Sequence, residues 1–458
     1  MEGTEERVFE ALEPRLEGHI IKQADPAFDD VRRVWNTRID RIPSIIVQPV
    51  SISDVIQVVE FASEFGYRIS VKGGGHHVGG PAVVDDAVMI DLARFDAISV
   101  DPTALTVTVG GGVTWGQVDA ATAPHGLAAV GGQDPNIGVA GLTLGGGVGW
   151  LSRAFGLAVD NLLEVELVTA AGEHISASPT EQEELFWGLR GAGGGLGIVT
   201  SFTFKVHPVE TVLAGSLVYP LQEAHQAMRG YRTLVDDGPD TLRPLFGIFD
   251  LPPTSPLFDQ VESSRVAIII VCAIEPFGGS ERVLESLRHE TSPVVDSITT
   301  RPYVTFNAAG ESEPFARTTL RSRYLETLDD QAIETIVGIG TTAPAAGATV
   351  FVSPRGGAEV EPPMEAMAYA HREPGHHVLI EARWEDTTAD DAHESWVAES
   401  AAKLAPMASR VGSINFVDAD EPPTHAWFGP NRDRLNRLKQ KWDPDDRFGG
   451  HAHPRWQE

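Results

Sequence analysis

Three glycine-rich stretches crowd one part of this chain: KGGGHHVGG at 72–80, GVAGLTLGGGVGW at 138–150 and RGAGGGLGIVT at 190–200. Glycine tolerates positive φ and lets backbone N–H groups approach another group closely. Successive N–H groups form concave nests that hold anions such as a pyrophosphate. Each stretch adjoins a β-type run, and three so close together are poorly explained as plain turns. They require a fold in which several bare backbone loops surround one large ligand. No Gly-Lys-Ser/Thr follows any of them, so none is a Walker loop. GGGVGW also does not open a unit in which an acidic residue about 20 positions on ends a second strand, so a dinucleotide fingerprint fits poorly. The pattern points to a large nucleotide held by several loops.

The runs around the loops read as follows. SIIVQPV is a strand. VIQVVEFASEFG has helical apolar spacing, with Ser53 or Asp54 as cap and Gly66 as stop. YRISVK is a strand feeding the first glycine loop. AVMIDLA, ALTVTVGGG, LLEVELVTA and GIVTSFTFKV are further β-type runs, and TWGQVDAATAPHG is a helix stopped by Gly126. Beyond about residue 208 the texture changes. The strands LAGSLVY, RVAIIIVCAI, ATVFVS and HVLIEARW alternate with helices such as DDQAIETIVGI and ESWVAESAAKLAPMA. Segments 276–280 and 353–364, rich in Gly and Pro, read as loops. In VLIEARW, alternation puts Val378, Ile380, Ala382 and Trp384 on one face, suited to packing on helices, and Leu379, Glu381 and Arg383 on the other.

Composition bounds the function. The 458 residues allow two or three domains at roughly 100–200 residues each, and 42% hydrophobic content is that of a globular chain. A net charge of −30, from 65 acidic and 35 basic residues, argues against nucleic acid and anionic membranes as partners. Lysine occupies six positions. Abundant acid with scarce lysine suits a salt-rich cytoplasm, where screening weakens self-repulsion; an acidic protein of a GC-rich genome is the alternative. No apolar run approaches the ~20 residues of a membrane helix, and the acidic N-terminus lacks the basic start of a signal peptide. A cytoplasmic location is the expectation. Cys272 is the only cysteine, which excludes a disulfide framework, and its apolar setting favours burial over a catalytic thiol.

Four segments in order carry a resemblance: VKGGGHHVGG, GGQDPNIGVAGLTLGGGVGWLSRAFGLAVDNL, ELFWGLRGAGGGLGIVT and LKQKWDPDDRF. Together they resemble the berberine-bridge-enzyme-like FAD oxidoreductases of the vanillyl-alcohol-oxidase type, and among these the bacterial 6-hydroxy-D-nicotine oxidase branch. The likeness is strong over residues 40 to 210, weak in the middle and clear over 411 to 458. It implies an α+β fold of two domains. Residues 1–207 and 417–458 would bind FAD; residues 208–416 would form the substrate domain, an antiparallel sheet backed by helices.

The resemblance also implies roles. His76 would be the covalent tether to the flavin 8-methyl carbon. Lys72, Gly73, Gly74, Gly75, His77, Val78 and Gly79 would make the pyrophosphate loop, with no covalent role for His77. Asp134, Pro135, Gly138, Gly141, Gly145, Gly146 and Gly147 would run along the flavin and ribityl chain. Asp160 and Asn161 would contact the cofactor or close the turn, and Gly197 and Ile198 would lie at the adenosine end. The histidines could instead be turn residues, or a metal site with His451 and His453. Adjacent imidazoles diverge, however, and no Cys or acidic partner sits at ligand spacing, so no metal is expected.

Three positions depart from the family pattern. Asp134 in DPNIG stands where many members carry a cysteine that makes a second covalent link; a carboxylate cannot form the thioether, so one bond is expected, and a smaller substrate. His451 and His453 stand where the family's final motif usually has asparagines, and can still donate hydrogen bonds near the flavin. Phe416 replaces a tyrosine that often serves as base. The expected reaction is hydride transfer from a small-molecule C–H beside N or O to flavin N5, with O2 as acceptor. An amine, an alcohol or a sugar would serve as substrate, and Phe416 favours the amine, because a neutral amine loses hydride without a protein base. Glu381, Arg321 and Tyr324 are the catalytic candidates, with Tyr303 and Tyr369 as further acids or bases. A dehydrogenase using another acceptor and a non-catalytic flavin-binding protein stay open, and the oligomeric state is not legible.

Overall fold

A computed structural model describes residues 9, 11–251, 253, 255, 258–261, 263–310, 316–343, 347–411, 413–421 and 428–449. The first part of the chain builds two sheets. One is four-stranded in the order β1 (His19–Lys22), β2 (Ile45–Gln48), β4 (Val88–Asp91), β3 (Ile69–Lys72), with β4 parallel to both β2 and β3. The helix Ile52–Phe65 makes the crossover and buries Val55, Val58, Val59, Phe61 and Ala62 on this sheet. Its cap is Ser51, whose side chain accepts from the Asp54 N–H, and not Ser53 or Asp54 as the sequence suggested. Asp54 instead turns back to accept the N–H groups of Glu17, Gly18 and Val50. Gly66 ends the helix at φ +77, the left-handed cap that glycine takes at least cost.

The second sheet is antiparallel, in the order β5 (Ile98–Asp101), β6 (Thr106–Gly110), β10 (Ile198–Lys205), β8 (Leu162–Val168), β9 (His174–Ala177). A two-stranded ladder, β7 (Leu127–Ala128) with β11 (His207–Pro208), leads out of it. Trp115–Thr122 is helical and passes through a short turn to Gly126, as its sequence indicates.

Residues 211 to 411 supply a nine-stranded sheet, antiparallel throughout. Its strands are β12 (Thr211–Pro220), β13 (Leu242–Asp250), β14 (Arg265–Ile274), β15 (Val295–Asp296), β16 (Thr299–Pro302), β17 (Arg317–Leu325), β18 (Ala348–Arg355), β19 (Gly375–Trp384) and β20 (Arg410–Val411). Four helices, Ala224–Asp237, Gly278–Glu290, Asp330–Thr341 and Asp390–Leu404, bury one face of it, packing Met228, Leu287, Ile336 and Val397 against Phe246, Ile269, Val350 and Ile380. β19 alternates as its sequence requires: Val378, Ile380 and Ala382 are fully buried on the helix side, while Leu379, Glu381 and Arg383 are half-buried on the other face. Two expected loops are shorter than the sequence suggests. A helix begins at Gly278, inside 276–280, and β18 extends to Arg355, inside 353–364. Cys272 is buried in β14.

The chain then returns to the first part. The helix Arg432–Trp442 lies beside Glu183–Leu189. Its Lys439 donates to the Gly195 carbonyl in the third glycine stretch and to Asp443, whose carboxylate also accepts the N–H groups of Arg447 and Phe448. The DPDDRF sequence is thus a capping knot that pins the return segment to a glycine loop.

Candidate active site

The first two glycine stretches meet backbone to backbone. A Cβ on Gly74 would lie 2.4 Å from the Gly138 nitrogen, and one on Gly138 would lie 2.3 Å from the Gly74 nitrogen. Gly75 turns the chain at φ +65. Further along, Gly146 (φ +120) receives the edge of the Tyr369 ring, and Gly145 receives the Asn415 amide. A Cβ on Gly141 would touch nothing within 4 Å. Bare backbone from two loops therefore lines one cradle, and side chains from the nine-stranded sheet and the return segment close it.

His76 projects from the first loop. Its ring stacks on Trp35, centroids 4.7 Å apart at 22°, and Trp35 is held by its own N–H to the Gly75 carbonyl at 2.9 Å. The Nε2 atom of His76 is buried without a hydrogen-bond partner, 3.5 Å from Asp134 Oδ2. Across from it, the Arg383 guanidinium lies 4.8 Å over the Trp35 ring. Burial raises the Glu381 carboxyl above its usual range, opposed by the charges of Arg383 and His76. The structure thus brings His76, Asp134 and Glu381 into one electrostatic neighbourhood from three distant parts of the chain.

His77 does different work. Its Nδ1 accepts the Gly79 N–H at 3.0 Å, so Nε2 carries the proton and donates to the Ile414 carbonyl at 2.8 Å. Burial lowers its pKa and keeps it neutral. It therefore ties the glycine loop to the return segment, as Gly79 does by packing on the Val417 carbonyl. Val78 is buried, and its carbonyl accepts from Asn36, which also bonds both the carbonyl and the N–H of Thr318 in β17.

Several candidates lie outside the cradle's polar lining. The Lys72 ammonium is committed to the carbonyls of Val31 and Arg33. Pro135 offers its carbonyl to Gly116. Asp160 caps Leu157 and pairs bidentately with Arg372, and Asn161 bonds the carbonyls of Phe155 and Leu157 and the His207 ring, so this pair closes the turn. Gly197 (φ +154) and Ile198 open β10, where Ile198 joins the core. Arg321 is set apart from Glu381. It sits opposite Ile380, on the helix-facing side of the sheet from Glu381, and is paired with Asp418, Asp420 and Glu421. His451 and His453 lie outside the described residues.

Tyr324 shares the Glu381 face, one strand over and four residues along, about 14 Å away at strand spacing. It is buried under the Arg355 guanidinium, 4.7 Å from the ring centre. Burial and a hydrogen bond with Tyr369 push its pKa up. Beside it stands a residue that sequence reasoning missed. His377 is 4.8 Å from Tyr324 and 4.9 Å from Phe416, and burial with the nearby Arg355 lowers its pKa to about 3. Its Nε2 is buried without a hydrogen-bond partner. The alternation that exposed Glu381 also marks His377, two steps back on the same face.

These residues fit FAD. The cradle's bare backbone suits a pyrophosphate and ribityl chain, the His76 ring projects from its first loop, and the buried Nε2 of His377 has no hydrogen-bond partner among the described residues.

Comparison with known proteins agrees. Residues 43–178 match the FAD binding domain family, and residues 414–452 match the family described as berberine and berberine like. The (R)-6-hydroxynicotine oxidase of Paenarthrobacter nicotinovorans is 29% identical over 94% of this chain and 95% of its own. An FAD-linked oxidoreductase of Dictyostelium discoideum is 28% identical over 94% and 92%. Among solved structures, the 6-hydroxy-D-nicotine oxidase from Arthrobacter nicotinovorans superposes with a TM-score of 0.85 at 28% identity, covering 96% of this chain and 98% of that one. A Physcomitrella patens BBE-like protein reaches 0.86 at 22% identity over 98% and 99%, a likeness of fold.

Proposed function

Since the chain belongs to the berberine-bridge-enzyme-like, FAD-dependent oxidoreductases, we propose that it is an oxidase of a small amine or alcohol, with FAD attached through His76 alone. The observation that carries this reading is the His76 ring, which projects from the first glycine loop and is fixed in plane by its stack on Trp35. The chemistry FAD supplies is acceptance of a substrate hydride at N5, followed by return of the electrons to O2 as H2O2.

The chain's own residues set the rest. Gly73 to Gly75 and Gly138 would hold the FAD pyrophosphate with bare backbone. The half-buried face of β19 would cover the flavin ring and limit its access to water. Glu381, its carboxyl raised by burial, anchors or deprotonates the substrate's polar group. At the other end, Phe416 has no proton to exchange, His377 stays neutral and the Tyr324 phenol stays protonated. These three side chains carry no charge, and the charge at that end is the Arg355 guanidinium over Tyr324, which disfavours a cationic ammonium and suits a neutral amine losing hydride.

The test is acid precipitation of the purified protein. Flavin colour should stay with the pellet in the wild type and leave it in His76→Ala. A screen of amines, alcohols and sugars with O2 consumption then reads the substrate class. Slow stopped-flow reoxidation in air after substrate reduction would sink the oxidase assignment in favour of a dehydrogenase.

A further inference from the structure

We infer that Asp134 is the positioning residue for covalent attachment of the flavin: it holds the proton-bearing side of the His76 ring and thereby presents Nδ1 as the nucleophile. The inference rests on the reading of His76 as the tether. A neutral imidazole carries one N–H and one lone pair, and only the lone-pair nitrogen can form a new bond. Asp134 Oδ2 lies 3.5 Å from Nε2. Its other oxygen is fixed by the Asn136 N–H at 2.8 Å, and the residue is only 8% exposed, so the carboxylate is held in place. The Trp35 stack fixes the ring plane. A proton on Nε2 facing that carboxylate leaves the lone pair on Nδ1.

The charged groups around His76 are Asp134 on the second loop and Glu381 and Arg383 on β19. Glu381 acts on His76 through space only, and its carboxyl resists ionisation because it is buried. Asp134 is in near contact. The position that bears a second tether in many family members thus serves the first tether in this chain.

The step balances. The Nδ1–C bond forms as one C–H bond of the flavin 8-methyl group breaks. Bond formation makes Nε2–H acidic, and Asp134 accepts that proton. The electron pair of the broken C–H bond reduces the flavin ring, which takes up two protons in all, and dioxygen then removes two electrons and two protons as H2O2.

The experiment starts from apoprotein made in riboflavin-starved cells. FAD is added, and acid-stable flavin is followed with time, in the wild type and in Asp134→Asn, which keeps an oxygen for Asn136. FAD binding before attachment is read by fluorescence quenching. Losing a charged proton acceptor should slow attachment about 100-fold, the usual reach of one acid–base group, with initial FAD affinity unchanged. Attachment in Asp134→Asn at the wild-type rate overturns the inference and leaves His76 as tether. No acid-stable flavin in the wild type overturns both. If the variant does not fold, 15N-histidine spectra of wild-type apoprotein decide, with His76→Ala assigning the signal. An Nε2–H tautomer is expected, and an Nδ1–H tautomer overturns the inference.

Discussion

At position 74 a methyl group has nowhere to go, because the nearest atoms are the backbone of Gly138 and not a side chain that can turn aside. Gly74→Ala must separate the two loops. Overpacking of this kind costs about 1–3 kcal/mol, and it opens the cradle. The expected outcome is a lower urea midpoint together with less acid-stable flavin per protein; a variant that matches the wild type in both would show that the loops do not bear on each other. The sequence marked this glycine for a different reason, close approach to an anion, and His76 by its motif. Trp35 and Asn36 carried no signal. One stacks on His76 and the other bridges residues 78 and 318, and a partner 282 positions away leaves no mark in local spacing. Lys72 shows the same limit: nothing in a lysine beside glycines announces the carbonyls of Val31 and Arg33 that its ammonium bonds.

Among elements, β17 and β19 separate chemistry from support. Glu381 and Arg321 lie on adjoining strands but on opposite faces. Glu381→Gln should cut turnover per bound flavin about 100-fold if its carboxyl handles the substrate's proton, with the melting curve little changed. Arg321→Ala should do the reverse. It leaves Asp418, whose side chain is fully buried, with one fewer cation, and breaking a buried pair costs about 3 kcal/mol, while turnover per bound flavin stays near wild type. Equal losses of turnover in both variants would return Arg321 to the site. β19 was legible because helices bury one of its faces and the site needs the other polar, so period-2 alternation survives in HVLIEARW. β17 was not read as a strand. Arg321 and Arg323 occupy positions that would otherwise be apolar, and their carboxylate partners sit on the return segment about 100 residues later. β13 hid behind Pro244 and Gly247, residues that ordinarily argue against an interior strand.

The two halves of the molecule also meet at a carboxyl group, and there pH should be felt as stability. Asp119, on the helix Trp115–Thr122, is 5% exposed and accepts from Asn307 Nδ2 at 2.7 Å. Asn307 belongs to the helix Tyr303–Ala308 on the nine-stranded sheet side, and it also donates to the Gly132 carbonyl, two residues before Asp134. A cavity of about 170 Å3, lined by Asp119, Val209, Thr211 and Tyr303, lies at this seam. Burial, opposed by the Asn307 hydrogen bond, raises the Asp119 carboxyl from 3.8 to about 7. The folded state therefore keeps a proton that the unfolded chain has already released between those values. Stability present below pH 3.8 is lost as pH rises through 7, and the shift is worth on the order of 4 kcal/mol. Asp119→Asn cannot ionise and keeps an oxygen for Asn307. Urea midpoints of the two proteins should diverge from pH 4 to pH 7, the variant becoming the more stable above it. Taking the difference between the two removes the background from the other acids in a chain of net charge −30, which titrate alike in both. Curves that run parallel across the window would mean that Asp119 ionises in the folded protein as it does in the unfolded chain, and that the seam does not exclude water from it.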